Sequence, residues 1–118
     1  DFRARQGTPL RAVRDGKIVS AGRAGGYGNM VTVRHRLSNG KTVYARYAHM
    51  FTGRNCRLPR PGAQVKAGDK IGCVGTTGVS TGPHLHFEIR GDRNGGAIYD
   101  SKYFLLNNGA LKRAKVCG

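Results

Sequence analysis

Apolar and polar residues alternate along this chain in short runs, and no window sustains the i, i+3, i+4, i+7 apolar spacing of an amphipathic helix. Residues 8–12, "TPLRA", lead to Asp15 and Gly16, and residues 17–21, "KIVSA", follow. An Asp-Gly step between two such runs predicts a hairpin. Residues 29–35 alternate Met30, Thr32 and Arg34 against Val31, Val33 and His35. Asn39 and Gly40 then turn the chain into residues 41–49, where Val43, Ala45, Tyr47 and His49 fall on one face of a strand. Beyond a long loop, residues 70–75 and 84–90 read as two further strands. These short strands, with no helix of consequence, predict an all-β fold. The expected form is a small antiparallel β-sheet or β-sandwich domain with a groove walled by its loops.

The length of 118 residues fits one domain with a single modest core. Residues 1–106 are expected to form it, and residues 107–118, "NNGALKRAKVCG", read as a basic C-terminal tail. No stretch approaches the roughly 20 apolar residues of a transmembrane helix. There is no signal-peptide pattern at Asp1, but a chain starting at Asp rather than Met is expected to have lost an upstream segment, so export stays compatible with it. The 21 Lys and Arg against 6 Asp and Glu give a formal charge of +15. Such a charge attracts polyanions, including the anionic polymers of a bacterial cell wall. The cations are scattered, with neither zinc-finger spacing nor an aromatic-interleaved strand, so no specific nucleic-acid partner is expected.

Cys56, Cys73 and Cys117 form an odd set without C-x-x-C spacing, which argues against a cysteine-based zinc site. Two readings stand. Either Cys56 and Cys73 pair, closing a loop that carries Pro59, Pro61 and Gly62 and leaving Cys117 over, or all three are reduced thiols.

The chain has 4 histidines, and "TGPHLHFEIR", residues 81–90, holds His84 and His86. Two apart on a strand, they share a face about 6–7 Å apart, while Leu85 and Phe87 take the core side. Such a pair can give one ligand to a metal and one group that works on what the metal binds. Taken alone, it is a weak signal. "TTGVSTG", residues 76–82, is a flexible, hydroxyl-rich loop suited to a cleft wall, and His49 closes another strand that can face the same cleft. His35, between Arg34 and Arg36, reads as structural or solvent-facing. Catalytic zinc takes three protein ligands and keeps a position for water. The carboxylates on offer are Asp1, Asp15, Asp69, Glu88, Asp92 and Asp100. Glu88 shares the His84 and His86 face and can support a ligand, but spacing alone does not choose among them.

The blocks "DFRARQGTPLRAVRDGKIVSAG", "GGYGNMVTVRH", "YARYAHM" and "VKAGDKIGCVGTTGVSTGPHLHFEIR" resemble, in order and over about residues 1–103, the catalytic domain of lysostaphin-type zinc metalloendopeptidases. That family cuts the peptide part of bacterial peptidoglycan, and its signature is H-x-x-x-D, a lone histidine after a Tyr-Ala pair, and H-x-H. The resemblance implies that Asp1 and His86 are Zn²⁺ ligands. It implies that His49 and His84 are the two histidines that orient and activate the metal-bound water and stabilise the tetrahedral intermediate. Zinc lowers the pKa of its water to about 7, well matched to a neutral imidazole of pKa about 6.5. Activity is therefore expected to fall as pH drops through imidazole titration.

The histidine of H-x-x-x-D would precede Asp1 and lies outside this sequence. A trimmed N-terminus is the favoured explanation. The others are a histidine supplied by another chain or segment, and a non-catalytic relative that binds peptidoglycan or regulates other wall hydrolases. The resulting expectation is a zinc endopeptidase hydrolysing peptidoglycan cross-links outside the cytoplasm: periplasmic, secreted or phage-associated.

Overall fold

A computed structural model describes residues 2–3, 6–37, 40–53, 56–75, 84–92 and 95–99. Its strands are β1 Phe2–Arg3, β2 Pro9–Arg11, β3 Gly16–Arg23, β4 Asn29–Arg36, β5 Thr42–Ala48, β6 Gln64–Val65, β7 Lys70–Cys73, β8 His84–Asp92 and β9 Gly95–Tyr99. One 3-10 turn, Gly25–Tyr27, is the single helical element among the described residues. The all-β, antiparallel class expected from the alternation is the class observed. β1, β6, β9 and the 3-10 turn are additions, too short or too glycine-rich to carry a periodic signal. The C-terminal tail lies outside the described residues.

Seven strands form one sheet in the order β1-β8-β5-β4-β3-β6, with β9 also paired to β8. β1 and β9 thus share one edge of β8, one at its start and the other toward its end. β2 and β7 make a second, two-stranded sheet. The β4–β5 hairpin forms as expected: Leu37 N–H donates to Lys41 O at 2.7 Å, and Gly40 sits at φ 85°, where an L side chain is disfavoured. Its register sets Val31 opposite Tyr47 and Val33 opposite Ala45.

The hairpin expected at Asp15 and Gly16 does not form. β2 pairs with β7 rather than with β3, and β3 pairs with β4 and β6. Asp15 and Gly16 instead carry the chain from one sheet to the other. Asp15 Oδ1 accepts from Ala67 N at 2.8 Å, and Asp15 O accepts from His35 Nδ1 at 2.9 Å. A Cβ on Gly16 would collide with Arg34 O and come 2.8 Å from His35 Nδ1. Glycine is needed here for close approach of backbones, not for a tight turn.

The core lies between the sheets. Ile18, Val31, Val33, Val43, Ala45, Tyr47, Phe87 and Ile89 line the inner face of the large sheet and meet Leu10, Ile71 and Val74. Tyr47 and Phe87, cross-strand partners, pack with ring centroids 5.0 Å apart and planes tilted by 55°. The Tyr47 hydroxyl is not orphaned, because Val13 N–H donates to it at 3.3 Å. Burial drives its pKa upward despite that bond, so the phenol stays neutral.

His35 is fully buried on this inner face, which settles its role as structural. Because a carbonyl only accepts, the contact with Asp15 O fixes the proton on Nδ1. Cys56 and Cys73 form a disulfide with Cα atoms 5.4 Å apart, closing the loop over Pro59, Pro61 and Gly62. Cys117 lies outside the described residues.

Candidate active site

β5 ends at Ala48, and the next residue, His49, leaves the strand alternation. Its φ of 57° makes it the one non-glycine residue with positive φ among those described. A non-glycine residue in this region costs roughly 1–2 kcal/mol, so it persists only where its neighbours over-determine it. Here they do. His49 N–H donates to Tyr27 O at 2.8 Å and Met50 N–H to Asn29 O at 2.9 Å, while Asn29 Nδ2 returns a bond to Met50 O at 3.3 Å. Phe51 N–H donates to Cys73 O at 3.0 Å, tying the segment to β7. Behind it lies Gly75, where a Cβ would come 2.7 Å from His49 O and collide with Phe51 N. Met50 is fully buried, and only 7% of His49 remains exposed.

The other two predicted histidines enter through β8. Its register sets His86 opposite Ala48 on β5, so His49 is the next residue along from His86's partner. His84 lies opposite Arg3 of β1. The sheet therefore gathers His49, His84 and His86 at one end, where β5 stops and β8 begins. Asp1 lies outside the described residues, one position before Phe2, whose partner is Leu85.

Glu88 does share the parity of His84 and His86, but its carboxylate is taken up elsewhere. It faces Arg46 across the ladder, with Arg46 Nη1 at 3.6 Å, and Arg90 Nε donates to it at 2.8 Å. The Arg46 guanidinium also lies 5.7 Å from the centre of the Tyr27 ring and donates from Nη1 to the Tyr27 hydroxyl at 3.5 Å. Partial burial disfavours the Arg90 cation, but the bond and charge of Glu88 outweigh it and hold its pKa above the ordinary value. Sequence reasoning missed both Tyr27 and Arg46. The available signal for Tyr27 was "GGYGN", whose Gly25 and Gly28 both adopt positive φ to fold the 3-10 turn back toward β5.

Among the described residues no three His, Cys, Asp or Glu side chains are grouped to hold a metal ion. The histidines that the sheet brings to this end nonetheless suit zinc, which takes imidazole nitrogen. The rigid backbone at His49 is the kind of support such a site requires.

Comparison with known proteins agrees with this architecture. The family model described as Peptidase family M23 matches residues 1–99. DD-carboxypeptidase/endopeptidase Mpg of Neisseria meningitidis serogroup B is 49% identical over 90 residues, which are 76% of this chain and 19% of that protein. Peptidoglycan DD-endopeptidase ShyC of Vibrio cholerae is 40% identical over 89 residues, 75% of this chain and 19% of that one. The chain thus spans about a fifth of the length of these relatives. The catalytic domain of the antimicrobial peptidase lysostaphin from Staphylococcus simulans superposes with a TM-score of 0.72 at 34% identity, covering 89% of this chain and 74% of that domain.

Proposed function

Because the chain belongs to peptidase family M23, we propose that it is a zinc-dependent endopeptidase acting on the peptide cross-links of bacterial peptidoglycan. The observation that carries this reading is the β5–β8 register, which brings the lone histidine of "YAHM" and the H-x-H pair to the same end of one sheet. In this reading Asp1 and His86 are the metal's protein ligands within the chain, and His49 and His84 are the acid–base pair. Bound there, Zn²⁺ would supply Lewis acidity toward the scissile carbonyl and a water that ionises near pH 7.

The chain's own groups do the rest. One neutral imidazole takes the proton of the attacking water and returns it to the leaving amine, and the other, in its N–H form, donates to the carbonyl oxygen as charge develops on it. The locked backbone at His49 fixes the point from which that side chain projects, which matters because a misplacement of about 1 Å costs on the order of a hundredfold in rate. The names of Mpg and ShyC favour a DD-type cross-link as the bond cleaved. A substrate of this kind places the protein outside the cytoplasm, where its charge of +15 also favours contact with anionic wall polymers.

The test uses the natural protein, including whatever segment precedes Asp1. It should release peptides from purified DD-cross-linked peptidoglycan, stop on chelation and recover with Zn²⁺. A protein that sediments with peptidoglycan but releases nothing with zinc present would overturn the reading. Cleavage of glycine-bridged peptidoglycan alone would retain the endopeptidase and reject the DD assignment.

A further inference from the structure

The face of the large sheet turned away from the core carries a continuous cross-strand row. Lys17 on β3 stands between Gln64 on β6 and Arg34 on β4, Arg34 is opposite Tyr44 on β5, and Tyr44 is opposite Arg90 on β8. Lys17 and Arg34 are both exposed, and Arg36, also exposed, follows two residues along on the same face. Like charges placed directly opposite each other on neighbouring strands destabilise a sheet, and the described residues of this row, Gln64, Lys17, Arg34, Tyr44 and Arg90, include no carboxylate. Glu88, two residues before Arg90 on β8, is committed to Arg46 and Arg90. The ion pairs described on this sheet involve neither Lys17 nor Arg34.

The row is also in line with the histidines. Arg90 and His86 have the same parity on β8, four residues apart, so the row lies about 13 Å along the strands from His86. Arg34 is two strands from β8, a further distance of about 10 Å across them. An extended peptide advances at the same rate per residue as the strands beneath it. One whose scissile bond sits at the histidine end, and which crosses β5 and β4 obliquely, would carry groups about five residues away toward Tyr44 and Arg34, with Lys17 one strand beyond.

We propose that Lys17 and Arg34, with Arg36 beside them, form an anion subsite that binds free carboxylates of the peptide strand being cleaved. The inference rests on the endopeptidase reading for its substrate, and its own content is the charge of that substrate. A carboxylate seated between two opposed cations relieves their repulsion and gains charge-assisted hydrogen bonds from both.

The experiment measures binding by the full chain, using a soluble cross-linked muropeptide dimer and the same dimer with its carboxylates converted to amides. The parent should bind the carboxylate form about tenfold more tightly than the amide form, the size expected for one or two charge contacts. In the doubly substituted Lys17→Glu/Arg34→Glu chain that preference should vanish, with affinity for the amide form unchanged. Equal binding of both dimers by the parent, or a preference that survives the double substitution, would overturn the subsite. So would a variant that keeps the dimer preference but loses binding to poly(glycerol phosphate), because the row would then serve a phosphodiester polymer. Carboxylate-dependent binding without cleavage by the natural protein would leave the subsite standing and reject the endopeptidase reading. Cleavage with no dependence on Lys17 and Arg34 would do the reverse.

Discussion

The two faces of the large sheet share every backbone hydrogen bond and yet hold opposite chemistry. On the inner face Val33, Ala45 and Ile89 follow one another across β4, β5 and β8, each with essentially no exposed surface. On the outer face the next row along is Arg34, Tyr44 and Arg90, with Lys17 completing it on β3. Apolar burial fixes the register, since a slip by one residue would carry the charges into the core and the valines into water. The outer face inherits its order from that constraint. It is therefore free to carry groups, such as opposed cations, that lower stability and are useful only against something outside the protein.

Substitutions on the two faces should accordingly differ in sign as well as size. The largest effect is expected at Tyr47, where Tyr47→Ala removes the ring packed on Phe87 and leaves the Val13 N–H without its acceptor. A loss of about 3–5 kcal/mol is expected in urea unfolding. Less than 1 kcal/mol would mean that the inner face does not carry the fold. Next comes the Cys56–Cys73 disulfide, with 17 residues of sequence separation. Replacing both cysteines by serine should cost about 3 kcal/mol through the freedom returned to the unfolded chain.

A smaller effect depends on pH. Burial lowers the pKa of His35 below its ordinary 6.5 and the charge of Arg14 acts the same way, against the raising influence of the Asp15 carbonyl bond and the Asp15 charge. The unfolded chain therefore binds a proton at His35 before the folded one does. Stability is unaffected by this ring well above pH 6.5. It declines as pH falls below that value, by at most about 1.4 kcal/mol per pH unit, until the folded ring also titrates. His35→Gln should flatten that part of the stability profile, and an unchanged slope would assign it to other groups. The smallest effect has the opposite sign: Lys17→Glu turns a like-charge pair with Arg34 into an attractive one. It should raise stability by about 0.2–1 kcal/mol in the absence of ligand. A destabilised variant would mean that Lys17 contributes to the fold in another way.

The inner face was legible in the sequence because alternation and burial are the same fact. Val31, Val33, Val43, Ala45 and Tyr47 were placed on it by period alone, and Asn39 with Gly40 marked the β4–β5 turn. Asp15 and Gly16 misled because an Asp-Gly pair looks the same whether it makes a hairpin turn or a crossing. What decides is the packing of Gly16 against Arg34 O and His35, and neither residue is near it in sequence. The histidine end was half legible. His84 and His86 were seen as one face of a strand, and the strand containing His49 was seen to end there. The positive φ of His49, the Tyr27 and Asn29 contacts that hold it and the arginine grip on Glu88 all depend on segments brought together only by the fold. The basic row could not be read at all. In sequence Lys17, Arg34 and Arg90 are scattered cations, and the ladder alone makes them neighbours.

The proposed hydrolysis of peptides at this histidine end is measured by the rate of peptide release from purified peptidoglycan with Zn²⁺ present. The natural protein is compared with its His84→Ala variant after both are shown to unfold at the same urea concentration. Loss of one acid–base group should lower the rate by about 10²–10⁴-fold. A variant that cleaves as fast as its parent would contradict the assignment of His84 and, with it, the account of how this end of the sheet works.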